Sequence, residues 1–106
     1  MLGSNVSMLI GLHVPFNFET ITVTTAVKGL TAATYTSGGN TARRVIITVE
    51  NAQIRYRYDG TDPTATVGHL LNPMDALTLI GTAAVKNFRV IQKGTTNGKI
   101  SVTYEI

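Results

Sequence analysis

The sequence predicts a small all-β domain, a sandwich or a barrel. Three observations predict it. Apolar and polar residues alternate with a period of two in several short runs, and successive side chains on a strand point to opposite faces of a sheet. The runs are rich in β-branched and aromatic residues. Clusters of Gly, Asn, Asp and Pro separate them, and no long stretch keeps the helical period.

The elements follow in chain order. Met1 to Asn17 mixes Gly3, Ser4, Asn5, Gly11 and Pro15 with scattered apolar residues, and no clean alternation begins before Phe16 and Phe18. Residues 1–18 are read as an N-terminal arm or a first strand, and residues 19–106 as the β-sandwich domain. Leu2, Met8, Leu9, Ile10 and Leu12 are too apolar for a solvated tail, so burial against a neighbouring subunit is the functional expectation for them. Thr20 to Thr24 alternates Ile21 and Val23 with threonines. Ser37-Gly-Gly-Asn40 breaks the chain before Arg44 to Glu50, where Val45, Ile47 and Val49 share one face. Glu50-Asn51-Ala52 is a tight connection to Gln53–Tyr58, with Ile54, Tyr56 and Tyr58 set against Arg55 and Arg57.

Asp59-Gly-Thr-Asp-Pro63 is a dense turn cluster. Asn72-Pro73 and Gly81 bracket a short strand, Ala76 to Ile80, with Leu77 and Leu79 in phase. A helical turn is expected near Thr82 to Lys86. Asn87 to Lys93 places Phe88 and Val90 opposite Arg89. Gly94 to Gly98 reads as a hairpin turn leading into Lys99–Ile106, where Ile100, Val102, Tyr104 and Ile106 alternate with Ser101, Thr103 and Glu105.

Composition narrows the function classes. The chain has 106 residues and no Cys, so it holds one modest core with no disulfide, thiol nucleophile or thiolate metal site. The apolar stretch Met8 to Val14 is too short to span a bilayer, and the first basic residue is Lys28, so it is a poor signal peptide and no membrane role is expected. Net charge is +3, from 9 basic and 6 acidic residues, but the basic residues lie singly or in pairs. Such a scatter lacks the stripe that releases many counterions, so nucleic acid is not the expected partner. Charged residues make up 14% of the chain, well below the quarter or so typical of a free monomer. A surface short of charge and rich in Thr, Ala and Gly fits a protein packed against neighbours.

Catalytic chemistry is thin. His13 and His69 stand in no metal-ligand spacing, and no nucleophile elbow or phosphate-cradling loop is present. The chain is not expected to be an enzyme, and no cofactor or metal is expected. Asp59 and Asp62 are the closest carboxylate pair. They suit Asx turns better than Ca²⁺, which takes six to eight oxygens. Arg55-Tyr-Arg-Tyr58 interleaves basic and aromatic residues, a pattern that binds single-stranded nucleic acid when both types share a face. On a strand they part, the tyrosines to the core or an interface and the arginines to solvent or to a partner's carboxylates.

Arg44-Val-Ile-Ile-Thr-Val-Glu50, Ala52-Gln-Ile-Arg-Tyr-Arg-Tyr-Asp-Gly60, Thr61-Asp-Pro-Thr-Ala-Thr-Val-Gly-His-Leu70, Asn87-Phe-Arg-Val-Ile91 and Ile100-Ser-Val-Thr-Tyr104 together carry a resemblance over about the last two thirds of the chain. The chain resembles small structural proteins encoded by tailed bacteriophages, most closely capsid decoration, or cement, proteins with a jelly-roll-like sandwich. The resemblance implies location in the virion and partners among the major capsid protein or other virion proteins. It also implies a homo-oligomer, with a trimer favoured. The interface residues expected on this reading are Leu2, Met8, Leu9, Ile10 and Leu12 in the arm, Arg55 and Arg57 as partners for acidic groups, and Asp59, Asp62 and His69 in a loop presenting a contact surface. A tail, neck or fibre-associated module has the same physics with a different neighbour. A carbohydrate-binding β-sandwich is a third reading, weakened by an aromatic content of 7% and no Trp.

Overall fold

A computed structural model describes residues 13–106. The chain forms β1 (Pro15–Val23), β2 (Lys28–Gly29), α1 (Ala32–Tyr35), β3 (Thr36–Ser37), β4 (Asn40–Thr41), β5 (Arg44–Glu50), β6 (Ile54–Arg57), β7 (His69–Leu71), β8 (Ala76–Ile80), α2 (Thr82–Asn87), β9 (Arg89–Gln92) and β10 (Gly98–Glu105). It is mostly β, in antiparallel sheets. One sheet has the order β1-β10-β5-β8, a second the order β2-β9-β6-β7, and β3-β4 is a separate pair. No helix among the described residues is long and apolar enough to cross a membrane.

Alternation is what builds the core. In β5, Val45, Ile47 and Val49 are buried; in β10, Ile100, Val102 and Tyr104; in β6, Ile54 and Tyr56. Together with Val23, Leu79, Val85, Phe88 and Val90 they form one cluster fed by both four-stranded sheets. Burying one large apolar side chain contributes about 1.5–3 kcal/mol. The short helix α2 joins through Val85, and Phe88 closes it.

The strand that begins the domain starts earlier than its sequence pattern shows. β1 runs from Pro15, across the expected boundary at residue 18, and Val14 exchanges backbone hydrogen bonds with Ile106 (2.9 and 3.0 Å). The register shifts between Pro15 and Asn17. Such a bulge breaks the period of two, which is why the alternation is unreadable there. The expected arm residues Leu2, Met8, Leu9, Ile10 and Leu12 lie outside the described residues.

One connection differs from expectation. Gly94 to Gly98 is not a hairpin: β9 pairs in one sheet and β10 in the other, so the turn carries the chain between sheets. Glu50-Asn51-Ala52 does the same between β5 and β6, with Asn51 at φ 76°. Turn chemistry fixes a change of direction, not the partner of the next strand. A two-residue hairpin does occur at Gly38-Gly39, between β3 and β4, where both φ values are positive (58° and 83°). That geometry matches the twist of the flanking strands and suits glycine.

A half-buried polar contact ties the sheet of β1 and β10 to Thr31, which precedes α1. The Tyr104 hydroxyl donates to the Glu19 carboxylate, which also accepts from the Thr31 hydroxyl (2.8 Å) and the Thr31 N–H (3.3 Å). Burial, then the Glu19 hydrogen bond and charge, push the Tyr104 hydroxyl well above its ordinary pKa, so it stays a donor. Glu105 points to the opposite face from Tyr104 yet is largely covered, with Arg44 3.1 Å away.

Candidate functional site

The loop between β6 and β7 folds back on its own strand and forms a cleft of about 540 Å³, lined by Arg57, Tyr58, Asp59, Val67, Gly68 and His69. Arg55 holds the far side of the loop, donating to the carbonyls of Ala65 (3.0 Å) and Gly68 (2.9 Å). Thr64 sets a local turn: its N–H donates to the Val67 carbonyl (2.8 Å), and its hydroxyl accepts from the Val67 N–H (3.0 Å). Pro63 is fully buried beneath. Gly68 has φ +140°, and a Cβ there would lie 3.1 Å from both Pro63 Cβ and the Tyr56 carbonyl oxygen. The loop can pass this close to β6 because residue 68 has no side chain.

Arg57 and Asp59 form a bidentate pair, Nε to Oδ1 at 3.1 Å and the terminal nitrogen to Oδ2 at 2.6 Å. Asp59 Oδ1 also accepts from the Thr61 N–H (3.3 Å), the expected Asx turn. Within the chain, Arg55 serves the loop and Arg57 pairs with the acidic Asp59. Nothing local in the sequence points to the carbonyls of Ala65 and Gly68 as acceptors. Asp62 is exposed on the same loop.

The hydrogen bond from Arg57, reinforced by the Thr61 N–H, holds the Asp59 carboxyl well below the usual carboxylate range, at about 2. A depressed folded pKa means the pair contributes fully above about pH 4 and is lost as pH falls through about 2. A carboxyl-carbon NMR titration is expected to give Asp59 a midpoint near 2, and Arg57→Ala is expected to return it to about 4. A wild-type midpoint near 4 would contradict the pairing.

An aromatic column rises from the core to this cleft. Phe88 stacks on Tyr56 (5.7 Å), and Tyr56 lies 5.2 Å from His69 and 6.3 Å from Tyr58. Burial and the neighbouring Tyr58 raise the Tyr56 pKa. Tyr56 is buried, but Tyr58, on the same side one step past the strand end, is 49% exposed. Tyr58 and His69 therefore form a small aromatic surface beside the mutually neutralising Arg57 and Asp59. The residues that sequence reasoning missed here are Tyr58, Val67 and Gly68. The one local signal was Gly68 immediately before His69.

A second surface lies on the sheet of β1, β10, β5 and β8, on the side away from the core. The cross-strand registers align Phe18, Thr103, Ile46 and Thr78 in one row and Thr20, Ser101, Thr48 and Ala76 in the next. Charges appear only in the flanking rows, as Arg44 with Glu105 and Lys99 opposite Glu50. Phe18 is 57% exposed and Ile80 is 66% exposed. Threonine, serine and apolar residues thus occupy the two central rows of one sheet face, with the Glu50 carboxylate accepting from the Ser101 hydroxyl (3.2 Å) at its margin. Comparison of the chain with protein-family models, with curated proteins and with solved structures gave no match.

Proposed function

We propose that this chain is a structural protein of a tailed-bacteriophage virion, a head decoration or cement protein that binds the assembled capsid lattice. The observation that carries the reading is the uncharged sheet face centred on Thr103, Ile46 and Thr48. Lattice proteins repeat one contact many times, and a face without charges to desolvate suits such a contact. By binding the assembled shell and not its free subunits, such a protein stabilises the assembly through mass action.

The strand pairing supports a jelly-roll sandwich as the scaffold. With β3-β4 set aside as an insertion, the remaining eight strands pair first with last (β1–β10), then β2–β9, β5–β8 and β6–β7. Successive pairs alternate between the two sheets. That nesting is the one produced by wrapping a long hairpin into two Greek keys, the architecture of many capsid and lectin domains. Fold alone does not imply function, so the weight rests on the face.

The test is pelleting with expanded empty phage shells. The wild-type chain is expected to co-sediment, and Thr103→Lys, which places a charge at the centre of the face without entering the core, is expected to lower binding at least tenfold with Tm unchanged. Pelleting with tails instead of shells would move the assignment to a tail or neck module. A second reading has its own observation: Tyr58 and His69 beside the planar Arg57–Asp59 pair resemble a sugar platform with a hydrogen-bonding rim. Glycan-array binding that Tyr58→Ala abolishes, with no pelleting on any virion part, would favour that reading.

A further inference from the structure

We propose that two copies of this chain pair face to face through the outer side of the sheet β1-β10-β5-β8, related by a two-fold axis that lies along the strands between β10 and β5. The inference rests on the reading of that face as a repeated contact, and names a second copy as its partner.

The charges on the face are complementary to themselves. Val45, Ile47 and Val49 of β5 are buried in the core, so alternation puts Arg44, Ile46, Thr48 and Glu50 on the outer side. The register sets Glu105, Thr103, Ser101 and Lys99 of β10 beside them in the same order. The four corners form a checkerboard. Arg44 is positive and Glu105 negative in one end row; Glu50 is negative and Lys99 positive in the other. A pattern that changes sign both along and across the strands matches its own copy when turned over. With the axis along the strands, β10 of one copy lies over β5 of the other, and each row meets the same row. Lys99 then faces the second copy's Glu50, twice by symmetry. Among these four corners no like charges meet.

The two ends of the checkerboard differ, and the difference selects the axis. Arg44 and Glu105 are already 3.1 Å apart within the chain, and Glu105 is largely covered. Glu50 is exposed and leans on the Ser101 hydroxyl (3.2 Å). Ion pairs between copies therefore form at the Lys99 end. An axis across the strands would instead require the covered Glu105 to meet Lys99.

Side-chain sizes agree with the same rotation, which lays β1 of one copy over β8 of the other. Phe18 falls over Thr78, Ile46 over Thr103 and Ile80 over Pro15. Each large apolar side chain meets a smaller one, so the two layers can interdigitate. Phe18 (57% exposed) and Ile80 (66% exposed) would leave water on pairing. Stacked sheets lie about 10 Å apart with strands within about 30° of each other, a gap that long Lys and Glu side chains span. Four strands cover about 19 Å across, and the length of β5 covers about 24 Å. That footprint is smaller than the roughly 800 Å² each partner contributes to a standard interface. The dimer is therefore expected to dissociate on dilution.

The test is sedimentation velocity on the full chain over a range of concentrations. The wild-type chain is expected to be a dimer when concentrated and a monomer when dilute. Lys99→Glu and Glu50→Lys each set like charges face to face. Each alone is expected to be monomeric where the wild type is dimeric, with unchanged circular dichroism. An equal mixture of the two is expected to dimerise, because one copy supplies two negative groups and the other two positive ones. The double variant Lys99→Glu with Glu50→Lys exchanges the charges within one chain and is expected to dimerise as the wild type does. A wild-type chain that is monomeric at every concentration or trimeric, a single variant that stays dimeric, or a mixture that stays monomeric would overturn the proposal. A dimer with this charge dependence that does not pellet with shells would keep the pairing and reject the virion reading. A monomer that pellets would reject the pairing and leave the virion reading standing.

Discussion

Phe88→Ala is expected to destabilise the domain by about 3–5 kcal/mol, the usual cost of truncating a buried aromatic. Total stability for a domain of this kind is about 5–15 kcal/mol, so the variant retains little margin. Phe88 is fully buried where α2 hands over to β9, and it supports Tyr56 from below. Its loss leaves a cavity among residues of both sheets and removes the base of the aromatic column under Tyr58 and His69. Thermal unfolding is expected to show a Tm lowered by at least ~12 °C, since 1 kcal/mol shifts a domain of this size by about 4–8 °C. Phe88→Leu, which fills most of the volume, is expected to recover most of that loss while leaving the cleft aromatics less ordered. A Tm within 3 °C or so of wild type for the alanine variant would mean that the core is not organised around this residue.

Gly68→Ala is expected to act on the cleft more than on the fold. A side chain at φ +140° is strained, and its Cβ meets Pro63 and the Tyr56 carbonyl at 3.1 Å. Backbone strain of this kind costs about 1–3 kcal/mol. The strain falls on one of the two residues whose carbonyls Arg55 uses to hold the loop, so the loop yields before the sheets do. The expected result is faster amide exchange across residues 63–68 with a Tm fall smaller than that of Phe88→Ala, because local yielding of the loop relieves the strain. Unchanged exchange in that loop would show that the loop is not closed by the Gly68 approach.

Much of the fold was legible because alternation is a local property. Arg44 to Glu50 and Ile100 to Tyr104 each announce which face is buried, and the structure buries those residues. Elements of two or three residues cannot show a period, so β2, β3, β4 and β7 left no trace. The start of β1 was hidden by the register shift near Asn17. Gly94 to Gly98 was read as a hairpin because a reversal looks the same whether the next strand pairs with its predecessor or crosses to another sheet.

The site was legible in part. The loop from Asp59 to His69 was marked by its turn residues, and the Asx turn at Asp59 followed from chemistry within two residues. The intrachain contacts of Arg55 have no local signal, because its acceptors lie 10 and 13 residues away, in a loop whose path no local pattern sets. Tyr58 was placed with Tyr56 by alternation, yet it extends past the end of β6 and stays half exposed. The uncharged sheet face needed the registers of three ladders before Phe18, Thr103, Ile46 and Thr78 became neighbours.

Co-sedimentation of the full wild-type chain with expanded empty phage shells bears most directly on the central claim, that this protein works by binding an assembled lattice. The account predicts saturable pelleting at a fixed ratio to the shell subunit, with no binding to the unassembled subunit. A chain that stays in the supernatant at every concentration, or that binds free subunits as tightly as shells, would contradict it.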